Sequence, residues 1–468
     1  MATNVDGHPV RTGPQLAALC LAQFMLVLDI TVVNVALPTI EADLDLGRSA
    51  LTWVVTAYTL CFGGLMLLGG RLADVLGARR VMTAGLVVFT LASLTAAGAP
   101  DAAWLITARA AQGVGAALVS PAALSILTST HQGAARHRAL AVWSALGGAG
   151  FAAGAIVGGA LTSGPGWSWV FWINVPVGAA LVLVLPFVVP TMGARARDRR
   201  VDLVGAALVT VATASVIYAL VNAGEDGWAD PVTLGALALG VVSYAIFARA
   251  ERVVREPLMH VTMLRRRPVI AGSALMLVAS ALMVGTFFLG SLYLQHIRGY
   301  APVRTGLLFV LPAIAVTAGA HLAGRLIGRI GPRPISVAGL GVAALGGLLL
   351  ATVSEQTSVY ASVLPGMTLV ALGVGPVFVT ATTTAMGYVR SDESGLASGL
   401  INTSHELGGA FGVAVLSTIA APALATPAVG AFRDAYVACT IAAAVAAAAA
   451  VVLVPRGAPA TAPGPHAH

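Results

Sequence analysis

Apolar segments of about twenty residues recur along the whole of this 468-residue chain, separated by short polar connections. At about 1.5 Å of rise per residue, a helix of that length crosses the hydrocarbon core of a bilayer. Only 10% of the residues are charged, whereas a soluble domain has roughly 25%. The sequence therefore predicts an all-α integral membrane protein and not a β-barrel. We expect fourteen transmembrane helices, at 15–37, 51–70, 81–99, 103–125, 139–162, 169–189, 203–222, 231–249, 269–294, 306–326, 334–353, 359–386, 396–421 and 435–455.

A charged turn, Gly70 to Arg80, lies between the second and third predicted helices, and a weaker copy lies at 324–334. Both copies read Gly-Arg-Leu, then four residues, then Gly-x-Arg. The copy follows the tenth predicted helix, so two six-helix halves with two inserted helices place the turn second in each half. We expect an N-terminal segment at 1–14, a first bundle at 15–190, two extra helices with arginine-rich loops at 191–268, a second bundle at 269–455 and a tail at 456–468.

The basic residues, all 26 of them arginine, decide the predicted orientation. With the N-terminus inside, 21 arginines lie at the cytoplasmic face and four outside. The positive-inside rule then predicts a multi-pass protein of the cell membrane with both termini in the cytoplasm. The absence of lysine excludes a Walker A loop and a Schiff-base lysine. The net charge of +7 does not indicate a nucleic-acid partner, because the arginines lie in short loops beside the predicted helices.

Ionisable side chains at membrane depth are candidates for function, because isolation in lipid costs about 3 kcal/mol or more. Asp29 lies roughly 13 Å and Arg109 roughly 9 Å inside the outer ends of their helices, so the two can form a charge pair or a water-bridged contact. Such a carboxylate can bind and release a proton; the alternative is a pair that only holds two helices together. Glu406, in the thirteenth predicted helix, lies near the midplane of the membrane, and both proton coupling and a structural role are open for it. The neighbouring His405 points about 100° away from Glu406. His321 is expected to reach the membrane interface.

Three glycines of the fifth helix, Gly150, Gly154 and Gly158, share one face at a spacing of four residues. Such a face lets another helix approach closely. Close packing explains the pattern, and a smooth surface on which two halves slide is the alternative. The three cysteines fall within apolar runs and form no Cys-x-x-Cys pair, so we expect no metal site.

Several of these stretches together resemble motifs of the major facilitator superfamily, and specifically of its fourteen-helix drug:proton antiporters. The Gly70–Arg80 turn is similar to the superfamily's motif between helices two and three. The resemblance extends over nearly the whole chain. It rests further on Leu28 to Pro38, Arg109 to Ala117, Trp169 to Gly178, Tyr293 to Gln295 and Ser398 to Thr403.

The resemblance implies alternating access to a central cavity, with proton entry driving the export of a lipophilic compound and no cofactor. Asp29 would be the acid linked to protons and substrate, Arg109 would tune its protonation, and Glu406 is a further candidate for coupling. We expect the substrate cavity to be lined by residues from the set Phe24, Asp29, Asn34, Tyr58, Gln112 and His405, although lipid or core packing is the alternative for the aromatic ones.

The resemblance also implies a conformational latch on the cytoplasmic side. Asp74 would approach the N-terminus of the thirteenth helix, whose partial positive charge favours a carboxylate. Gly328 occupies the position of Asp74 in the second turn, so the latch is one-sided, and Ala155 stands where the fifth-helix antiporter motif has proline. The latch residues are Gly70, Arg71, Asp74, Gly77, Arg79 and Arg80.

The resemblance thus implies a secondary transporter, not an enzyme, that exports drug- or antibiotic-like compounds in exchange for protons, and we expect it to work as a monomer. An exporter of an endogenous metabolite, siderophore or lipid precursor is the alternative within the same fold. A membrane-embedded enzyme acting on lipid-linked substrates would need catalytic residues clustered at one interface. The deep ionisable groups are too few and too scattered for that, and a passive channel is disfavoured by two duplicated halves.

Overall fold

The computed structural model consists of α-helices and their connections throughout the residues that it describes. It describes residues 12–46, 48–131, 133–190, 203–254, 263, 266–300, 302–354, 357–387, 389, 393–425 and 429–457. The segments 1–11, 191–202 and 458–468, which hold most of the predicted terminal segments and one predicted arginine-rich loop, lie outside the described residues.

Fifteen helices are described, and their bounds follow the predicted spans closely. The helices α6 and α7 divide the sixth predicted span at Ile173. The helices are α1 Thr12–Asp43, α2 Arg48–Leu72, α3 Ala78–Ala97, α4 Ala102–Thr130, α5 Gly133–Ser163, α6 Trp169–Trp172, α7 Asn174–Val188, α8 Leu203–Glu225, α9 Pro231–Ala250, α10 Arg267–Leu292, α11 Pro302–Ile330, α12 Pro332–Leu350, α13 Leu364–Met386, α14 Ser394–Ala425 and α15 Val429–Leu453.

Aspartates start two of these helices at the end opposite the Gly70–Arg80 turn. The side chain of Asp101 accepts a hydrogen bond from Trp104 N at 2.8 Å, which caps the N-terminus of α4. Asp230 accepts from Val232 N at 2.8 Å and from Thr233 N at 3.1 Å, and α9 begins with a proline directly after it. Both caps satisfy N–H groups that have no partner inside the helix.

Two glycines end the charged turns of the two halves in the same way. Gly77, between α2 and α3, has φ of 93°, and Gly331, between α11 and α12, has φ of 79°. These positive φ angles favour glycine because it has no Cβ. The repeated Gly-x-Arg of the sequence is therefore a backbone requirement for reversing one membrane-length helix into the next.

Eleven segments among the described residues are long and apolar enough to cross a membrane. One of them, Trp53–Ala97, has 45 residues and contains most of α2 and all of α3. A straight helix of that length would be about 67 Å long, more than twice the thickness of the hydrocarbon core. The helices α5 and α14, with 31 and 32 residues, are not among the eleven. With these two helices and the division of Trp53–Ala97, the described helices can supply the fourteen predicted spans.

The buried apolar core is divided between two parts of the chain. Two clusters of buried side chains draw on residues from Ala18 to Val189, which belong to α1 to α7. A third draws on residues from Ala271 to Val454, which belong to α10 to α15 and the turn after it. The helices α1 to α7 and α10 to α15 are called the first and second halves below.

The halves meet at the end of the bundle that carries the Gly70–Arg80 turn and the connection between α11 and α12. This end, which also carries Arg329 and Arg333, is called the arginine-rich end below. There α14 packs directly on α2: a Cβ at Gly399 would lie 2.8 Å from the carbonyl oxygen of Met66. A small apolar cluster joins Ala141 of α5 to residues of α11, α12 and α13.

The inserted helices α8 and α9 cover the seam where α2 of one half meets α14 of the other. A Cβ at Gly64 of α2 would lie 3.2 Å from the Cβ of Ala214 in α8, and the rings of Trp53 and Tyr218 stack with their centroids 6.0 Å apart. On the other side of the seam, Trp228 donates a hydrogen bond to Thr418 of α14 at 3.0 Å. The inserted pair therefore contacts both halves, a position that the sequence did not predict.

Candidate functional site

A buried ion pair joins α1 to α4 deep inside the first half. Arg109 donates a hydrogen bond to Asp29 Oδ2 at 2.6 Å, and the two side chains are 1% and 0% exposed. Arg109 Nε also donates to the carbonyl oxygen of Val54 in α2 at 3.1 Å. The similar depths in the sequence suggested this pair, and the structure contains it. Because one partner alone would leave a buried charge, removing either is expected to cost about 3–5 kcal/mol.

Three further polar side chains complete the hydrogen bonds around this pair. Gln112 donates to Asp29 Oδ1 at 3.2 Å and to Ser93 Oγ at 2.8 Å, and its Oε1 accepts from Arg109 at 2.9 Å. Asn174, the first residue of α7, donates to Asp29 Oδ1 at 2.6 Å. The Asp29 carboxylate thus accepts three hydrogen bonds, from side chains of α4 and α7. These five residues are called the charged cluster below.

Ser93 and Asn174 are members of the charged cluster that the sequence reasoning missed. Each is a polar residue in an apolar helix, which was the available signal. Hydroxyl and amide side chains are frequent in membrane helices, however, and a serine can satisfy itself within its own helix. Ser93 does so in part, since its hydroxyl also donates to the carbonyl oxygen of Phe89 at 2.8 Å.

Aromatic rings enclose the guanidinium of Arg109. Its Cζ lies 4.3 Å from the ring centroid of Tyr58 and 5.9 Å from that of Phe171. Both rings are fully buried. A desolvated cation over an aromatic face gains about 2 kcal/mol, so the rings help to keep the arginine charged where water is excluded. The Tyr58 hydroxyl is buried and has no hydrogen-bond partner within the described part of the chain.

Glu406 and His405 belong to α14, in the half that does not contain the charged cluster. A Cβ at Gly63 of α2 would lie 3.5 Å from the Cβ of Glu406, which places Glu406 where α2, α8 and α14 meet. The His405 ring lies 5.5 Å from that of Phe378 in α13. Both residues are partly exposed. Across the described residues, no hydrogen bond joins Glu406 to Asp29 or Arg109.

The remaining cavity candidates fall in different places. Tyr58 and Gln112 contact the ion pair, as described above. Phe24 is partly buried and packs against a core cluster of the first half, whereas Asn34 is exposed on α1. His321 is exposed on α11. Within the described residues, no group of three or more His, Cys, Asp or Glu side chains is arranged to hold a metal ion.

The Gly70–Arg80 turn makes contacts to two helix ends. The N–H of Leu396, in the first turn of α14, donates to Asp74 Oδ2 at 2.9 Å. Arg79 donates to the carbonyl oxygens of Val189 at 3.1 Å and Pro186 at 3.4 Å, at the C-terminal end of α7. A carboxylate at a helix N-terminus and a guanidinium at a helix C-terminus are both favoured by the helix dipole. Arg79 therefore binds the turn to a helix of its own half, whereas Asp74 binds it to a helix of the second half.

The other turn residues differ in their exposure. Gly70 and Arg71 are buried, and Arg80 is exposed. Gly77 supplies the positive φ described above. In the second turn, Gly328 is exposed, with nothing within 4 Å of a Cβ placed on it.

A second polar contact between the halves lies nearby and was not predicted. Arg136 of α5 donates to the carbonyl oxygen of Met386, the last residue of α13, at 2.9 Å. At the arginine-rich end, two contacts thus join the first half to the second. The Asp74 carboxylate binds the N-terminus of α14, and the Arg136 guanidinium binds the C-terminus of α13. Each has the sign of charge that its helix end favours.

The three glycines of α5 face α1, inside the first half. A Cβ at Gly150 would lie 2.4 Å from a side-chain atom of Val27, and one at Gly154 would lie 2.5 Å from Thr31 Cβ. A Cβ at Gly158 would lie 3.0 Å from the Cα of Val32. The partner helix belongs to the same half, so the contact favours close packing over a surface on which two halves slide.

We expect Gly158→Leu to unfold or strongly destabilise the protein. The obstacle is the backbone of Val32, which cannot rotate away, and overpacking of this kind costs about 1–3 kcal/mol or more. The yield of monodisperse protein and its melting temperature in detergent provide the measurement. Ala160→Leu is the matched control, because Ala160 lies on the exposed face of the same helix. Equal stability of the two variants would contradict the packing role of Gly158.

Comparisons with known proteins agree with this architecture. The family model described as Major Facilitator Superfamily matches residues 19–413. The puromycin resistance protein pur8 of Streptomyces alboniger is 40% identical over 416 residues, covering 88% of this chain and 82% of that protein. The cephamycin export protein CmcT of Amycolatopsis lactamdurans is 36% identical over 420 residues, covering 88% and 86%.

Among solved structures, the human organic anion transporter MFSD10 superposes with a TM-score of 0.70. The alignment covers 95% of this chain and all of that one, at 15% sequence identity. This structural likeness establishes the fold. The family model and the relatives match the amino-acid sequence itself, so they establish the family. The chain is therefore a multi-pass membrane transporter that belongs to the Major Facilitator Superfamily.

Proposed function

We propose that this chain exports lipophilic, antibiotic-like compounds across the cell membrane in exchange for protons. The observation that carries the proposal is the charged cluster, in which a fully buried carboxylate is held by one arginine and two amides. The cargo class is supported by the relatives, one named for puromycin resistance and one for cephamycin export. Their names do not fix the compound that this chain carries.

The arginine-rich end would face the cytoplasm, as would both termini. The support is the distribution of arginines along the sequence, because positive residues in short loops are retained on the cytoplasmic side. In this orientation, the contacts of Asp74 and Arg136 close the cytoplasmic side of the transporter. The described arrangement would then be the one in which the central region communicates with the outside.

Proton exchange would centre on Asp29. In its ionised form, Asp29 neutralises Arg109, and the hydrogen bonds of the charged cluster offset part of the cost of burying the two charges. Protonation would remove the negative charge and leave the buried arginine to Tyr58, Gln112 and the carbonyl oxygen of Val54. An unpaired buried arginine is unfavourable in free energy, so protonation would favour another arrangement of the protein, such as one with the cytoplasmic side open. Release of the proton inside would restore the pair and complete the exchange.

Inverted membrane vesicles provide the test of the proposed function. Because their cytoplasmic side faces outward, an imposed gradient that is acidic inside should drive uptake of substrates from a panel that includes puromycin and a cephamycin. A protonophore should abolish the accumulation of substrate inside the vesicles, and vesicles without the protein should accumulate no substrate. Uptake that continues after collapse of the gradient would exclude proton exchange. Accumulation of endogenous metabolites but of none of the antibiotics would exclude the proposed cargo class.

Loss of the Arg136 contact should open the cytoplasmic side more often. A hydrogen bond from a charged donor contributes about 1.5–3 kcal/mol, so Arg136→Gln is expected to raise the population of open molecules roughly tenfold or more. Spin labels at the exposed positions 13 and 329, one in each half, would report the distance between the halves in a cysteine-free background. Arg325→Gln, an exposed change at the same end, should leave the distance distribution unchanged. An unchanged distribution in Arg136→Gln would show that this contact does not hold the halves together.

A further inference from the structure

A cavity of about 670 Å³ lies at the arginine-rich end of the second half, away from the charged cluster. It opens where α10 and α12 begin and where α15 ends. Arg267, Arg333 and Arg456 line it, together with apolar residues that include Val451 and Val452. Its volume lies within the range of ligand pockets, about 300–1,000 Å³.

The cavity concentrates positive charge. Arg267, Arg333 and Arg456 line the same cavity, so three guanidinium groups of like charge share it. Arg267 is the first residue of α10 and Arg333 the second of α12, so the positive ends of two helix dipoles point the same way. Among the described residues that line the cavity, no side chain is acidic.

Two contacts hold the arginines at this position. Arg267 donates to the carbonyl oxygen of Val452, and Arg333 Nε donates to the carbonyl oxygen of Val454 at 2.8 Å. Both acceptors lie at the C-terminal end of α15, where carbonyl groups lack partners inside the helix. The carbonyl oxygens carry no full negative charge, so they orient the guanidinium groups without neutralising them.

The cavity also borders the lipid-facing surface of α15. Val451 is 47% exposed and Val452 is 63% exposed, and the exposed side chains of α15 from Val437 onward are all apolar. A ligand that fits both features carries a negative head group and a hydrocarbon tail. Arginine forks match the geometry of phosphate oxygens, and basic pockets at the ends of membrane helices bind anionic lipid head groups.

We propose that the cavity lined by Arg267, Arg333 and Arg456 binds the phosphate-bearing head group of an anionic phospholipid, whose acyl chains lie along α15. The proposal depends on the chain's place in a membrane and not on the proposed cargo or proton exchange. It gives the cluster of arginines at this position a specific ligand, beyond the general effect of positive charge on topology.

Native mass spectrometry of the purified full chain tests this site with phosphatidylglycerol and phosphatidylcholine of identical acyl chains. The wild type should retain phosphatidylglycerol in preference. One arginine near a membrane surface changes affinity by about fivefold, so Arg456→Gln should weaken phosphatidylglycerol binding about fivefold and Arg267→Gln with Arg456→Gln about 25-fold. Phosphatidylcholine binding should not change in either variant.

Arg329→Gln is the matched control, because it removes the same charge from an exposed position at the same end but outside the cavity. It should retain phosphatidylglycerol as the wild type does. Undiminished retention by the double variant, or an equal loss in Arg329→Gln, would overturn the proposal. Displacement of the lipid by inorganic phosphate at equal concentration would overturn it as well, since the site would then recognise a free anion. Arg456 lies beyond the end of α15, so its variant separates lipid binding from correct folding.

Discussion

Replacing Asp29 by asparagine is expected to reduce proton-driven export to background while the protein remains in the membrane. The amide has the shape of the carboxylate but cannot take up and release the proton. Asp29 accepts three hydrogen bonds, from Arg109, Gln112 and Asn174. An asparagine here would turn its amino group toward one of these donors, and Asn174 could accommodate it by rotating its own amide. The measurement is the initial rate of gradient-driven uptake by inverted vesicles, normalised to the amount of protein.

The same variant also leaves Arg109 as an unpaired buried charge, so lost stability is a competing explanation for lost transport. Removing one partner of a buried pair costs about 3–5 kcal/mol, which should lower the melting temperature. Arg109→Gln combined with Asp29→Asn removes both charges and should recover much of that stability without recovering transport. Recovery of proton-driven uptake in the double variant would reduce the pair to a structural role. Undiminished uptake by Asp29→Asn alone would exclude Asp29 from proton exchange.

The close contact made by the glycines of α5 could be predicted from the sequence, because the spacing that indicates it lies within a single helix. Their spacing of four residues requires a close partner, and the structure supplies α1. The pairing of Asp29 with Arg109 followed from depth, since an isolated charge at that level is costly and only a few groups were available. The approach of Asp74 to α14 came from the resemblance, and the 2.9 Å contact with Leu396 N is present in the structure.

Contacts that depend on the relative rotation of helices could not be predicted. Ser93 and Asn174 join the charged cluster only because α3 and α7 turn those faces toward Asp29. Arg136 and Met386 are 250 residues apart, and no pattern in either segment indicates the other. The position of α8 and α9 was also open, because their connections to the rest of the chain are long. Their placement on the seam brings Ile217 of α8 close to Gly63 and Glu406, a junction that spacing alone could not reveal.

The position of Glu406 changes how its predicted role can be tested. It lies where α2, α8 and α14 meet, and no hydrogen bond joins it to Asp29 among the described residues. Its partial exposure at a seam between the halves suits an acid that meets a cationic substrate or responds to rocking. Glu406 therefore stays a prediction, separate from the proposed exchange at Asp29.

The second large effect is expected at the proposed cytoplasmic latch, where Asp74→Ala should slow export at least tenfold. The substitution removes a charge-assisted hydrogen bond to Leu396 N, worth about 1.5–3 kcal/mol, and the favourable interaction with the N-terminus of α14. The closed cytoplasmic side would then be populated less, so the transporter would spend less time open to the outside. Export would slow because each cycle passes through that state, whereas the charged cluster would remain intact.

Two measurements separate this explanation from a simple loss of folding. The melting temperature in detergent should stay close to that of the wild type, while the distance between spin labels at positions 13 and 329 should become longer. Asp74→Asn, which can still accept from Leu396 N through its amide oxygen, should give an intermediate rate because only the charge is lost. Asp43 is an exposed acid at the last residue of α1, at the end of the bundle opposite the arginine-rich end. Its substitution Asp43→Ala should change neither the rate of export nor the distance between the labels. Normal export by Asp74→Ala at normal expression would refute the latch, and so would a slowed rate with an unchanged distance distribution.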